Sequence, residues 1–330
     1  MAGKPPSMGD IISQFAMPPE KPSSPAEEWL DDLSAWLATS DSIIHKPREP
    51  GLHASGLSTV CGRREVIEET FGKKVKTTSA GKQLTYDIGH AMHFWWQHRY
   101  LGPKQELWGE WMCVACPCQL CGNSDLSSKP EPDCKICKGS GRKITTGFMP
   151  LKCECGVPWQ EAVRYLEPLV VNKELGYVGH TDGILVHKKN KRRIFEFKTD
   201  GPSSYDERTA PNPEHVIQAH AYMGPLGLTE TLIVYQSKAK QCDWSKTNGD
   251  WTAGPPCIKP YIIHYDPIIW GPIEKRIKDH HEARALIQKI LDEKRHPTRE
   301  DIGKFDRVCD SPKCKLARDC PVAKQCFSIL

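Results

Sequence analysis

The chain has 330 residues, a formal net charge of +4 and 38% hydrophobic residues, among them ten Trp. That length gives one large domain or two modest ones, and the small charge excludes a molecule held to nucleic acid by a global basic field alone. No apolar run approaches the roughly 18 residues of a membrane span, and the first residues lack a signal-peptide core. The expectation is a cytoplasmic protein with no membrane partner.

Residues 1–25 are rich in Pro, Ser and Gly and read as a disordered segment. A helix is predicted from Pro25 to about Thr39, with Trp29, Leu33, Trp36 and Leu37 on one face. Ser58 is placed to cap a second helix carrying Cys61, Arg64, Val66 and Ile67. A third helix reads YDIGHAMHFWWQHRYL, with Ile88, Met92 and Trp95 as its apolar stripe. A cysteine-rich insert then runs from Cys113 to Cys155.

Two strands come next, in GHTDGILVHKKNKRRIFEFKTD. Both arms alternate, and Glu196 and Lys198, two residues apart on one strand, point the same way. If the arms pair, Asp182 meets them across the sheet. Two carboxylates and a lysine on one face can bind a divalent metal and hold a water or phosphate beside it. Taken alone, such a pattern is an ordinary charged surface hairpin. The basic run His187 to Arg193 likewise reads first as a solvated loop and second as a phosphate contact.

A helix entered through Pro213 and ended near Gly224-Pro225 succeeds them, with Gln218 and Tyr222 one turn apart on one face. TLIVYQSK and IKPYIIHYD are strands. A long helix spans about Pro267 to Arg295, striped by Ile269, Ile273, Ile277, Ala285, Ile287 and Ile290. Upstream, His93 lies one turn after Gly89 and can reach a metal held by Asp182 and Glu196; His90, His98 and His180 compete with it. Helices flanking a small mixed central sheet make the class α/β.

In this order, Gly89-x3-His93, Gly179-x2-Asp182-Gly183, Glu196-Phe197-Lys198 and Gln218-x3-Tyr222 resemble the RecB-like branch of the PD-(D/E)XK nucleases. That branch includes the CRISPR-associated adaptation exonuclease and AddB-type helicase-nucleases, and the likeness covers about residues 86 to 236. It implies a restriction-endonuclease-like core and metal-dependent hydrolysis of DNA phosphodiesters, as an exonuclease of recombination, repair or replication. It also implies that Mg²⁺ or Mn²⁺ is held by His93, Asp182, Glu196 and the Phe197 carbonyl. Lys198 would act on the water or transition state, and Gln218 and Tyr222 would position substrate. A helicase, annealing protein or replication factor is the implied partner beside DNA. No GxxxxGK[ST] loop is present, so a built-in motor is not expected.

Fifteen cysteines in a reducing compartment favour metal over disulfides, above all as CxxC pairs. Cys61 in STVCGRRE is similar to the family's Cys-Pro-Arg segment, with Gly62 in place of proline. The resemblance implies a [4Fe–4S] cluster on Cys61, Cys309, Cys314 and Cys320, although the gap between Cys309 and Cys314 departs from the family's and Cys326 is an alternative ligand. Four-cysteine zinc at the C-terminus competes with it. In the insert, Cys118, Cys121, Cys134 and Cys137 have ribbon-like spacing, and Cys113, Cys116, Cys153 and Cys155 close the stem, for two Zn²⁺ in all.

The expected division is 1–25 disordered, 26–112 helical, 113–155 zinc insert, 156–300 nuclease core and 301–330 cysteine closure. The rival reading is a non-catalytic DNA-binding or partner-recruiting protein on a nuclease-like scaffold. The compact format with a zinc insert suggests a phage origin and hence a host cytoplasm.

Overall fold

The computed structural model describes residues 51–71, 80–118, 142–151, 163–187, 191–238, 244–247, 250–253 and 257–328. The helix expected over 25–39 and the cysteines at 121, 134, 137, 153 and 155 lie outside these residues. The chain divides into two compact units, one of Met1–Arg48 and Thr77–Tyr86, the other of Glu49–Lys76 and Asp87–Leu330. Of the first, the described residues are 80–86, the opening turns of one helix. The second unit carries the rest of the described fold.

This unit begins with the short strand β1 (Leu52–His53), a 3-10 turn (Ala54–Thr59) and helix α1 (Gly62–Phe71). Ser58 lies buried inside the 3-10 turn and caps nothing; the helix starts four residues later, and Cys61 precedes it. Gly62 is needed there because a Cβ would stand 2.8 Å from the Asp279 carbonyl and 2.9 Å from the Phe305 ring. Helix α2 (Ala80–Trp95) passes into a π turn, Trp96–Leu101. Of its expected stripe, Met92 packs against the core but Ile88 and Trp95 are exposed, while Gly89, Gln97, His98 and Leu101 are buried. The inward face passes through Gly89, Met92 and Trp96, which leaves Ile88 and Trp95 on the solvent side.

Strands β2 (Leu107–Pro117), β3 (Arg142–Phe148), β4 (Val163–Leu166), β5 (Leu169–Asn172), β6 (Tyr177–His180), β7 (Gly183–His187) and β8 (Lys191–Asp200) continue the chain. Then come α3 (Pro202–Glu207), α4 (Pro213–Leu226), β9 (Glu230–Ser237), the hairpin β10 (Trp244–Thr247) with β11 (Asp250–Ala253), β12 (Ile258–His264) and the long α5 (Pro267–Asp292). Short helices α6 (Arg299–Gly303), α7 (Lys315–Asp319) and α8 (Ala323–Ser328) end the chain. Among these, no helix is long and apolar enough to cross a membrane.

The main sheet is mixed, in the order β12-β9-β8-β7-β2-β3, with β4 pairing the edge of β2 that β7 leaves free. A second sheet, β1-β6-β5, stands beside it. The class is α/β as expected, but the sheet starts earlier in the chain: Cys113 and Cys116 sit on β2, so the insert's stem is central sheet. The expected pairing of residues 177–182 with 194–198 is also divided. Only β7 pairs with β8, Gly183 facing Phe195, while β6 joins the other sheet.

Strand β8 is buried from Ile194 to Phe197 because both its faces are covered. Ile194 packs with Ile233, Tyr235, Tyr222 and Met223 on the α4 and α5 side, whereas Phe195 and Phe197 pack with Val234, Leu101, Trp111 and Tyr165 on the other. Helix α4 is capped by Asn212, continues through Pro225 to Leu226 and stops at Gly227, whose φ of 63° suits glycine. On α5 the buried stripe is Trp270, Ile273, Ile277, Ala283, Ile287 and Ile290; Ala285 and Ile269 face out. A third core, of Val66, Ile67, Ala283, Ile287, Ile302, Phe305, Val322 and Cys326, folds the chain's end onto α1.

Candidate metal and catalytic site

The chain crosses between the two sheets twice at one place, at Glu167 between β4 and β5 and at Asp182 between β6 and β7. Thr181 N–H donates to the Pro168 carbonyl at 3.2 Å and ties the crossings together. Strand ladders end at such crossings, so side chains there are free to turn toward one another. Asp182, 7% exposed, accepts the Phe197 N–H on Oδ2 at 2.6 Å and pairs with His93 Nδ1 through Oδ1 at 3.4 Å. His93 stands edge-on to Phe197, ring centroids 4.9 Å apart. A residue's N–H and C=O leave a strand on the same edge, so the Phe197 carbonyl also faces this crossing.

His93, Glu167 and Asp182 offer ligand atoms that all lie within 4.8 Å of one another. Sequence reasoning named two of them and missed Glu167, which belongs to no motif; a lone acid after an apolar strand and before Pro168 was its only signal. Gln97, one turn past His93, was missed too. It is buried, and its Nε2 donates to the Asp182 carbonyl at 3.0 Å and to Glu167 at 3.2 Å.

Glu196 and Lys198 share the other face of β8, and Lys198 Nζ meets Glu196 Oε2 at 2.7 Å. Burial pushes Glu196 up to about 7, Lys198 opposing and the Asp182 charge adding to it. Burial would lower Lys198, but Glu196 and then Asp182 raise it above the ordinary lysine value. Burial alone would likewise raise Asp182; His93 and Lys198 overcome this and hold it low. Glu167 keeps contact with solvent, yet loss of hydration around its carboxylate, then the facing Asp182, raise its pKa. His93 is raised, since Asp182 outweighs the burial that disfavours its charge.

Of the competing histidines, His98 is committed elsewhere. Its Nε2 accepts the Tyr165 N–H at 2.6 Å, and burial drives its pKa down to about 4. His90 and His180 are exposed, and the His180 carbonyl instead accepts the Tyr222 hydroxyl at 2.7 Å. Tyr222 is 1% exposed, and Gln218 donates to it at 3.0 Å. The two thus brace the strand that leads to Asp182. Gly179 makes room for this brace, because a Cβ there would lie 2.7 Å from Ala54 and 2.8 Å from the Tyr222 ring.

Cys61, Cys309, Cys320 and Cys326 line a cavity of about 220 Å³ with Arg64 and Arg307. Cys314, beside Cys309, accepts the Ala317 N–H at 3.4 Å, which lowers its pKa. Burial, and then the crowded Cys314, push Cys309 up to about 12, with Cys320 and Cys61 adding to the shift. In the insert's stem, Cys113 is buried and accepts the Cys116 N–H at 3.3 Å.

No family model matches the chain, and no curated protein matches it. Among solved structures, an alkaline exonuclease (LHK-Exo) from Laribacter hongkongensis is 16% identical over 39% of this chain and 61% of that one, with a TM-score of 0.30. In this alignment the chain spans about three fifths of that enzyme's length. LHK-Exo in complex with dAMP is 13% identical over 73% of this chain and 95% of that one, TM-score 0.35. A protein described as SSO0001 is 13% identical over 77% and 87%, TM-score 0.36.

Proposed function

We propose that the chain is a metal-dependent DNA nuclease with a restriction-endonuclease-like core, an exonuclease of the RecB-like type that works in recombination, repair or replication. The observation that carries this reading is the meeting of Asp182, Glu167 and His93 at a sheet crossing, with Glu196 and Lys198 on the adjoining strand.

A divalent cation fits these residues. Glu196 Oε1 is buried and without a hydrogen-bond partner among the described residues, and three carboxylates within one neighbourhood call for positive charge. Asp182, Glu196, Glu167, His93 and the Phe197 carbonyl would hold it, the imidazole favouring Mn²⁺ over Mg²⁺. When bound, the metal supplies a water of lowered pKa and neutralises charge developing on the phosphoryl oxygens. Lys198 is placed by Glu196 to orient that water or to donate to a phosphoryl oxygen in the transition state. Gln97 holds the Asp182 backbone and Glu167 in register. Tyr222 and Gln218 fix the approach to Asp182 from behind, which makes them positioning residues.

The cysteine-lined cavity belongs to the same reading as a [4Fe–4S] site on Cys61, Cys309, Cys314 and Cys320, with Cys326 as the alternative to one of them. Cys309 has Cys314, Cys320 and Cys61 around it, an all-sulfur neighbourhood that supports a metal cluster there. When bound, the cluster cross-links α1 to the chain's end. Cys113 and Cys116, with the insert's other cysteines, are assigned to zinc.

Anaerobically purified protein should degrade end-labelled linear DNA with Mg²⁺ or Mn²⁺ and leave circular DNA intact. No release of nucleotides from single-stranded or duplex ends with either metal would refute the nuclease reading, and cleavage of circles would refute its exonuclease part.

A further inference from the structure

Trp95 and Tyr100 remain 50% and 37% exposed, though each is a large apolar side chain. Their rings stack 5.8 Å apart with 14° between the planes. The π turn explains the pairing: its bonds run from i to i+5, so residues five apart come one above the other. An α-helical continuation would turn Tyr100 to another side. Trp96 supports Trp95 edge-on at 5.7 Å and is itself fixed by its Nε1 donating to Gln236 at 2.8 Å. Lys104 Nζ sits 3.8 Å over the Tyr100 ring, and Arg99, exposed, lies between the two aromatic residues in the chain.

We propose that Trp95 and Tyr100 form a base-stacking platform for an unpaired stretch of DNA on the solvent side of the helix that carries His93. The inference rests on the nuclease reading and narrows its substrate to single strands or frayed ends. Two arguments carry it. A stacked, exposed pair of rings braced from behind offers a flat π face, which suits a base and not a duplex whose faces are already covered. Lys104, over the Tyr100 ring, and the exposed Arg99 complement the phosphates that accompany a base stacked on Trp95. Trp95 leaves the helix on a different face from His93, which turns inward to Asp182, so the platform stands on the solvent side of the helix that supplies a metal ligand.

The test is binding, read by the anisotropy of labelled short oligothymidine in buffer without added divalent ion, where no cleavage intervenes. The same strand with abasic sites keeps the phosphates and lacks the π faces. The intact protein should prefer oligothymidine to the abasic strand and to duplex. Replacing both residues (Trp95→Ala with Tyr100→Ala) should weaken oligothymidine binding roughly five- to a hundredfold and leave abasic binding unchanged. Trp95→Phe with Tyr100→Phe, which keeps the rings and the fold, should retain most of the affinity. Equal affinity for thymidine and abasic strands, or full affinity in the alanine variant, would overturn the platform. Tighter binding of oligouridine would overturn its assignment to DNA. Cleavage without base preference loses the platform and keeps the nuclease; base preference without cleavage does the reverse.

Discussion

The carboxylate site at the sheet crossing and the cysteine-lined cavity at the chain's end both gather groups of metal-binding type, and the fold holds them differently. At the crossing, the protein supplies its own cations. His93 faces Asp182, Lys198 faces Glu196, and a backbone N–H serves the remaining Asp182 oxygen. The geometry there is set by strand ladders and by a helix buried against them, so it stands before any metal arrives. At the cavity, burial and then Cys314 raise Cys309, Arg64 and Arg307 line the same space, and the helices beside these sulfurs are short: α7, flanked by Cys314 and Cys320, has five residues, and α8, which holds Cys326, has six. Helices that short do not hold themselves together in water. On the proposed reading, the first region is a framework that would accept a metal, and the second is a closure that a metal would complete.

The largest effect that separates the two is on stability. Cys61→Ser should remove several kcal/mol, because cluster binding at such a closure is folding free energy. A fall in melting temperature together with loss of iron and of visible colour is expected; an unchanged melt with iron retained would break the distinction. Next comes Lys198→Ala. Turnover should drop by about 10²- to 10³-fold, as for loss of one transition-state donor, while Mn²⁺ affinity measured by calorimetry stays within a few-fold. Equal losses of both would make Lys198 a support for the metal and not for the reaction.

Glu196 gives a pH signature of the first region. Its folded pKa of about 7 lies above the usual carboxylate value, so the folded chain holds a proton that the unfolded chain has released. Stability from this group falls as pH rises from about 4.5 to about 7. A divalent ion binds the carboxylate form and relieves that loss. The rise in melting temperature caused by Mn²⁺ should then be greater at pH about 8 than at pH about 6, and the difference should shrink in Glu196→Gln, with His93 and Glu167 supplying the remainder. A pH-independent Mn²⁺ effect would contradict the assignment. The smallest effect belongs to Tyr222→Phe, which removes one buried hydrogen bond to the His180 carbonyl, about 1 kcal/mol by urea denaturation. A change in DNA affinity without that loss would return Tyr222 to the substrate side.

Much of the site was legible because its residues sit on strands and helices whose periods can be read. Glu196 and Lys198 were placed on one face by spacing alone, and β9, β12 and α5 appear where the apolar patterns put them. What was not legible depended on breaks in regularity. The π turn set Tyr100 over Trp95, five residues on, an outcome no α-helical period contains. The crossing of β4 to β5 brought Glu167 to Asp182 through a second sheet, which local pattern cannot foresee. Ser58 resembled a cap because its residue type suits one, but tertiary packing started α1 at Gly62 instead.

The central claim is that the sheet crossing is a hydrolytic centre. Its most direct test compares the intact protein with Asp182→Ala, purified in parallel and matched in melting temperature and iron content, on end-labelled DNA with Mn²⁺. The account predicts a loss of about a thousandfold or more, since each 1.36 kcal/mol of lost transition-state stabilisation is a factor of ten and metal-borne charge stabilisation amounts to several kcal/mol. Undiminished cleavage by the folded variant would contradict it.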